Sequence, residues 1–299
     1  MIEQYLIELR AALADADPAL VQDALYDAEE HLRAEMSEAG DDAEARWAEI
    51  VESYGTPEEV AQAYRETEIT VARALKAPTP VRPKSALGRF FGVLVDPSAW
   101  GALFYLVFAL VTGTVYFVFV AVMLPLSIGL IPVFVGLPLL VAFFASVRAI
   151  SLAEGRLVEA LLGVRMPRRP RSVLQQGDWT TRVKHWFTDG RTWTTLLYML
   201  LQQVLGMVYF SIVMIGLGLS TSLIAWPVIQ MLETDPVIQL NGYGYMLQPW
   251  ATPLVIGAGF LGYVLTLHLV RLIGKGHAVY AKAMLVGRYS DTPDQAIAA

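Results

Sequence analysis

Hydrophobic and polar positions alternate in two different ways along the chain. Up to residue 76 the apolar residues fall at steps of three and four, the spacing of amphipathic helices with one buried face. Tyr5, Leu6, Leu9 and Leu13 form the first stripe, and Val21, Leu25, Ala28, Leu32 and Met36 the second. Trp47, Ile50 and Val51 belong to a third, Val60 and Tyr64 to a fourth. Capping residues mark the boundaries. Asp17-Pro18 offers an N-cap with proline at the first helical position, and Gly40 ends the second helix. Asp41 with Glu44 is expected to cap the third helix, and Tyr54-Gly55 to stop it. Thr56-Pro57-Glu58-Glu59 reads as a capping box around a proline.

Beyond residue 89 the pattern changes to long apolar runs. Fifty-one residues between Asp96 and Arg148 carry no charge, and further uncharged stretches cover 192–232 and 251–270. One crossing of a bilayer takes about 20 residues. The runs therefore predict spans near 99–124, 130–150, 193–225 and 251–272, the first two joined by a tight turn between Pro125 and Pro132. In lipid the backbone must satisfy its own hydrogen bonds, so the spans are expected to be helical. The expected fold class is all-α, a small helical bundle followed by a polytopic four-helix membrane domain. The expected divisions are 1–76 for the head, 77–88 for a proline-rich linker, 89–288 for the membrane body and 289–299 for a flexible tail.

The body repeats itself. Residues 96–130 align without a gap on 189–223, with fourteen identities. Shared hydrophobicity explains the aliphatic matches but not Asp-x3-Trp-x4-Tyr-x7-Gly-x2-Tyr-Phe occurring twice. The second spans match more weakly, ending in Leu161-Leu162-Gly163 and Leu285-Val286-Gly287. The repeats run over about 89–167 and 180–288, and the second carries a loop with Glu233, Asp235, Tyr243, Tyr245 and Trp250. Each contributes two spans, so both enter the membrane from the same side. That predicts parallel repeats about an axis along the membrane normal.

Charge divides the chain in the same place. The whole is 55% hydrophobic and 17% charged, below the quarter or so typical of soluble domains, which excludes a soluble single-domain enzyme. Residues 1–76 hold 6 Lys/Arg and 19 Asp/Glu, whereas 77–299 hold 16 and 9. An acidic head is thus joined to a basic, apolar body. Nine Lys/Arg lie between Arg148 and Arg191, including Arg165, Arg168, Arg169 and Arg171, and others flank the first and last spans. The turn near 125–132 and the loop 226–250 have none. By the positive-inside rule both termini, the head and the middle connection are expected on the cytoplasmic side of the membrane. This rule also explains the basic connection without nucleic acid, and no direct nucleic-acid partner is expected. The carboxylates of the head are either a solvated surface or a face for a basic partner, including the chain's own basic loops. With no cysteine, disulfides and zinc-thiolate sites are excluded.

Tyr5-Leu6 with Glu8-Leu9, then Glu30-His31-Leu32, then Gly55-Thr56-Pro57-Glu58-Glu59-Val60-Ala61 resemble the HAAS family. The resemblance covers roughly residues 3–65. It implies a small all-α signalling module of the kind found on bacterial membrane proteins. The body resembles a sensor domain family of bacterial membrane proteins, seen fused to histidine kinases or HAAS-like heads. The residues carrying this are Asp96-Pro97, Trp100, Tyr105, Tyr116-Phe117, Gly136-Leu137-Pro138 and the stretch from Glu154-Gly155-Arg156 to Leu161-Leu162-Gly163. Members with kinase output continue past this unit, whereas here a short polar tail follows Gly287, so output is expected to pass to a separate chain.

Candidate chemistry is sparse. No nucleophile elbow, phosphate loop, dinucleotide fingerprint or His-Glu-x-x-His motif occurs, and no catalytic residue, metal ligand or cofactor is expected. Gln202 and Gln203, about ten residues into the third span, are the candidate intramembrane polar site, with Tyr116 and Tyr209 placed to hydrogen-bond across a close contact at Gly113 and Gly206. Glu30, His31, Glu58 and Glu59 are candidates for a partner-binding face of the head, His31 being expected to be solvated. Trp179, Trp186 and Trp193 recur every seven residues and suggest an amphipathic helix at the interface before the third span. His268 is expected to be an interfacial anchor, and Glu154 and Glu159 to lie on an extension of the second span outside the buried core. The function expected is that of a non-catalytic sensory or regulatory membrane protein, relaying an envelope or membrane state through its head to a cytoplasmic or membrane protein partner. A transport component and a scaffold subunit are the alternatives, and the oligomeric state is open.

Overall fold

The computed structural model describes residues 1–75, 85–169, 189–232, 238–241 and 243–286. The proline-rich segment 77–84, Trp179, Trp186, Glu233, Asp235 and the tail 289–299 lie outside the described residues.

The head contains α1 (Ile2–Ala12), α2 (Pro18–Ala39), α3 (Trp47–Tyr54) and α4 (Pro57–Leu75). Its stripes meet in one core of Tyr5, Leu6, Leu9, Leu13, Val21, Leu25, Leu32, Ile50 and Val60, with Met36, Trp47, Val51 and Tyr64 packed at its edge. Asp17 caps α2, its Oδ1 accepting the Ala19 N–H at 2.9 Å. Thr56 and Glu59 form the reciprocal capping box of α4, at 2.9 and 3.3 Å. Gly55 holds φ at +108° between the two helices, and the Tyr5 hydroxyl donates to its carbonyl. The third helix departs from expectation. It starts at Trp47 after Arg46, which makes no side-chain cap, while Gly40–Asp42 forms a separate 3-10 turn.

After the short α5 (Ala86–Phe91), capped by Ser85, come four helices long and apolar enough to cross a membrane. They are α6 (Pro97–Gly129), α7 (Gly136–Leu162), α8 (Gly190–Leu232) and α9 (Thr252–Leu285). α7, α8 and α9 extend past the uncharged runs, because charge marks where lipid ends and not where hydrogen bonding ends, while α6 stays inside its run but continues beyond residue 124. Pro125 accordingly sits inside α6, and the turn to α7 lies further on, through the 3-10 turn Ile131–Val133 and Phe134 at φ +59°. The loop after α8 contains a small hairpin, β1 (Ile238–Leu240) against β2 (Tyr243–Tyr245), with Leu240 opposite Tyr243. Gln230 anchors it, donating to the Leu247 carbonyl and accepting from its N–H.

The identities shared by the repeats have structural reasons. Asp96 and Asp189 both cap their helices through the N–H two residues on, at 2.9 and 3.1 Å. Partial burial opposes the charge on Asp96, but bonds from Ser98 and the fields of Arg271 and Lys275 outweigh it and hold the carboxyl below its usual range. Ser127 and Ser220 are both buried and both donate to the carbonyl four residues back. Gly113 and Gly206 mark the crossing of α6 and α8. A methyl group at Gly113 would overlap the Gln202 carbonyl, and one at Gly206 the Ala109 carbonyl. Gln202 is the repeat counterpart of Ala109, so the contact is reciprocal, as a two-fold axis requires. Replacing Gly206 with Val is expected to lower the unfolding free energy by about 1–3 kcal/mol through overpacking. Thermal unfolding in mild detergent checks this against Gly218→Ala, where a Cβ meets nothing within 4 Å.

Candidate functional site

Tyr105, Glu154, Tyr198 and His277 each stand eight residues from one end of a helix, namely from Pro97, Leu162, Gly190 and Leu285. At 1.5 Å per residue they form a polar layer about 12 Å inside the bundle. The apolar periodicity of each helix continues through them. Leu140, Phe143, Val147, Glu154 and Val158 are buried on α7, and Val270, Gly274, His277 and Ala281 on α9. Glu154 is 1% exposed and His277 2%.

Every polar atom of the Glu154 side chain is engaged. Its Oε1 accepts the hydroxyls of Tyr105 at 2.7 Å and Tyr198 at 2.8 Å, and its Oε2 accepts that of Tyr116 at 2.7 Å. His277 stands opposite, its Nε2 at 2.6 Å from the Tyr105 oxygen and 3.2 Å from that of Tyr198. Its Nδ1 meets the Tyr209 hydroxyl at 3.2 Å. Gln202, fully buried, donates to the Tyr105 oxygen at 3.3 Å, and the Tyr280 ring stacks on Tyr198. A buried carboxylate is tolerated only where donors replace its water, and three phenols do so here.

Several expectations change. Glu154 is not on a peripheral extension; it is the centre of the cluster, because α7 runs as buried helix well beyond residue 150. Glu159 does face outward and pairs with Arg168 at 3.1 Å. Gln202 joins the cluster through its Nε2 alone, and the Oε1 atoms of both Gln202 and Gln203 are enclosed without a partner. Tyr116 and Tyr209 do not bond each other across the glycine contact; the first goes to Glu154 and the second to His277. His277 escaped the sequence reading altogether, although its place on the apolar stripe of α9 is the signal that finds it. His268 caps the junction with α5, its Nε2 at 2.9 Å from the Phe90 carbonyl and its ring stacked on Phe90. Trp193 is half exposed, as is its counterpart Trp100.

A second constellation joins the head to the body. Asp23 of α2 accepts the backbone N–H groups of Arg168 and Arg169 at 2.7 and 2.8 Å and pairs with the Arg165 guanidinium at 3.2 Å. Arg165 also reaches Glu68 of α4 at 2.6 Å, Arg169 pairs with Asp27, and Lys282 of α9 pairs with Asp17 at 2.5 Å. Burial pushes the Asp23 carboxyl up, opposed by the two N–H bonds and the Arg165 charge. The Tyr64 hydroxyl, raised by burial and by its bond to Asp27, steadies that carboxylate from within the head. The reading of the carboxylates as a face for the chain's own basic residues therefore holds for this side of the head. Of the four head candidates, Glu30 and Glu58 are exposed, Glu59 serves the capping box, and His31 stacks on Tyr54 at 4.5 Å between centroids instead of being fully solvated.

The family model described as "Putative sensor" matches residues 105–285, more than half of the chain. The chain belongs to that family. A HAAS model matches residues 4–63, within the helical head. No curated protein and no solved structure matches the chain. The Sensor match opens on Tyr105 and contains every residue of the polar cluster, together with the Arg165–Arg169 segment and Lys282 that hold the head. Within this Sensor body, replacing Glu154 with Leu leaves three phenols without their acceptor and is expected to cost about 3 kcal/mol. Glu159→Gln, which loses one surface pair, should cost at most about 1 kcal/mol. Denaturant unfolding of the two variants in detergent checks the contrast.

Proposed function

We propose that the chain is a non-catalytic sensory or regulatory protein of the bacterial cytoplasmic membrane, whose head passes the state of the membrane body to a protein partner. The observation that carries this reading is the seating of the acidic face of the HAAS head on the Arg165–Arg169 segment and Lys282 of the Sensor body. The contact ties the head to the ends of two membrane helices. Arg165 stands three residues beyond the end of α7, and Lys282 lies in the last turn of α9. A shift of either helix alters the geometry of charge pairs that depend on close approach.

The contact is also suited to exchange. Apart from the buried Asp23, its side chains are partly solvated, so a basic partner surface competes for the outer carboxylates, and salt weakens the contact. Glu30 and Glu58 remain open to a partner while the head is seated. The basic flanks of the spans support a cytoplasmic head and cytoplasmic termini.

The absence of cysteine from the sequence makes a direct test simple. Spin labels at Glu38→Cys in the head and Ala160→Cys in α7 report the distance between head and body in the full-length protein. A narrow distance distribution is expected, which broadens in high salt and in Arg165→Glu, and narrows again when Glu68→Arg is added. In cells, Arg165→Glu and removal of the head should each change the cytoplasmic interactions and transcripts that depend on the protein. If neither does, the relay reading fails.

A further inference from the structure

We propose that the buried cluster is a proton-binding site, which takes up one exchangeable proton held jointly by Glu154 and His277 through the Tyr105 hydroxyl. The hydrogens of the cluster can be counted. Tyr105, Tyr198 and Tyr116 each have one hydroxyl proton, and all three are directed at the Glu154 carboxylate. The 2.6 Å contact between the Tyr105 oxygen and His277 Nε2 needs a proton of its own. With Glu154 ionised, that proton resides on Nε2, and the Tyr105 oxygen accepts from both Nε2 and Gln202.

Nδ1 is then the open position. Its partner is the hydroxyl of Tyr209 at 3.2 Å, a group that can donate to a bare nitrogen or accept from a protonated one by rotating its O–H. One proton from water can therefore be added without moving a heavy atom. The added proton can equally be accounted to Glu154: with Nδ1 protonated, the Nε2 proton passes to Tyr105 and the Tyr105 proton to Glu154, so that the carboxylic acid donates to the Tyr105 oxygen and the Tyr105 hydroxyl donates to a bare Nε2. The two placements contain equal numbers of protons and differ only by transfer along Glu154, Tyr105 and His277. Such a pair titrates as a unit.

Charge supplies the reason for uptake. The titratable groups facing this site are Tyr105 and Tyr116 from α6, Glu154 from α7, Tyr198 and Tyr209 from α8, and His277 and Tyr280 from α9. Among the described residues Glu154 forms no ion pair with a Lys or Arg. Without the added proton the layer therefore carries a net negative charge inside an apolar bundle; with it the layer is neutral. This goes beyond the reading of the head contact and does not depend on it. Salt and Arg165→Glu test that contact, whereas proton uptake tests this site.

The experiment is infrared difference spectroscopy of the full-length protein in lipid nanodiscs between about pH 5 and 8, the range in which imidazole changes charge. Nitrogen-15 histidine spectra of the same sample provide the second readout. The expected result is one transition in which carboxyl, tyrosine C–O and His277 signals change together. Glu154→Gln should abolish the carboxyl change and shift the His277 transition, and His277→Gln should shift the carboxyl change in turn. Tyr209→Phe, at the half-buried edge of the site, tests the same transition if those variants do not fold, and should also displace it. The proposal is overturned if the wild type shows no such transition, or if the His277 signal titrates unmoved in Glu154→Gln or Tyr209→Phe.

Discussion

The crossing of α6 over α8 at Gly113 and Gly206 is the contact on which the membrane body depends. At this point backbone meets backbone, since a side chain on either glycine would overlap a carbonyl of the other helix. Small residues at such crossings exchange side-chain volume for close approach, the main source of attraction between helices where lipid offers no hydrophobic drive. Because the contact is reciprocal, it places each residue of α6 near its own counterpart on α8 wherever both approach the axis. Tyr105 and Tyr198 stand at equal distances before the two glycines, and their hydroxyl oxygens come within 3.4 Å of each other.

Two phenols meeting in an apolar interior need acceptors, and the outer helices of the repeats provide for this unequally. From α7 comes a carboxylate and from α9 an imidazole. The counterpart tyrosines Tyr116 and Tyr209 follow the same division, one bonded to Glu154 and the other to His277. The repeat is thus nearly symmetric in what builds the helix contact and asymmetric in what it holds. The difference concentrates the only strongly acidic group of the layer on one side of the axis.

The head has its own core and caps, and its charge distribution is what engages the body. Asp23 accepts two main-chain N–H groups as well as a guanidinium, which orders the Arg165–Arg169 segment and not merely its side chains. The helices that deliver Glu154 and His277 to the polar layer also lead to Arg165 and Lys282 at the head, so the two constellations share α7 and α9.

Helix periodicity, caps and uncharged runs were enough to read the all-α class, the four membrane helices and most of the head core, because these depend on local spacing and on the transfer of apolar groups from water. The repeat was legible for the same reason, and it pointed to Gly113, Gly206, Tyr116 and Tyr209 before their partners were known. Gln202 was legible as a buried polar group. Charge breaks misplaced the ends of α7 and α9, since a helix continues through polar residues that find partners, and this hid Glu154 and His277. Which tyrosine serves which acceptor, and which carboxylates of the head meet which arginines, was decided only by tertiary structure. Such pairings join residues from 38 to 172 positions apart, and their distances follow from how the helices cross, not from the spacing along any one of them.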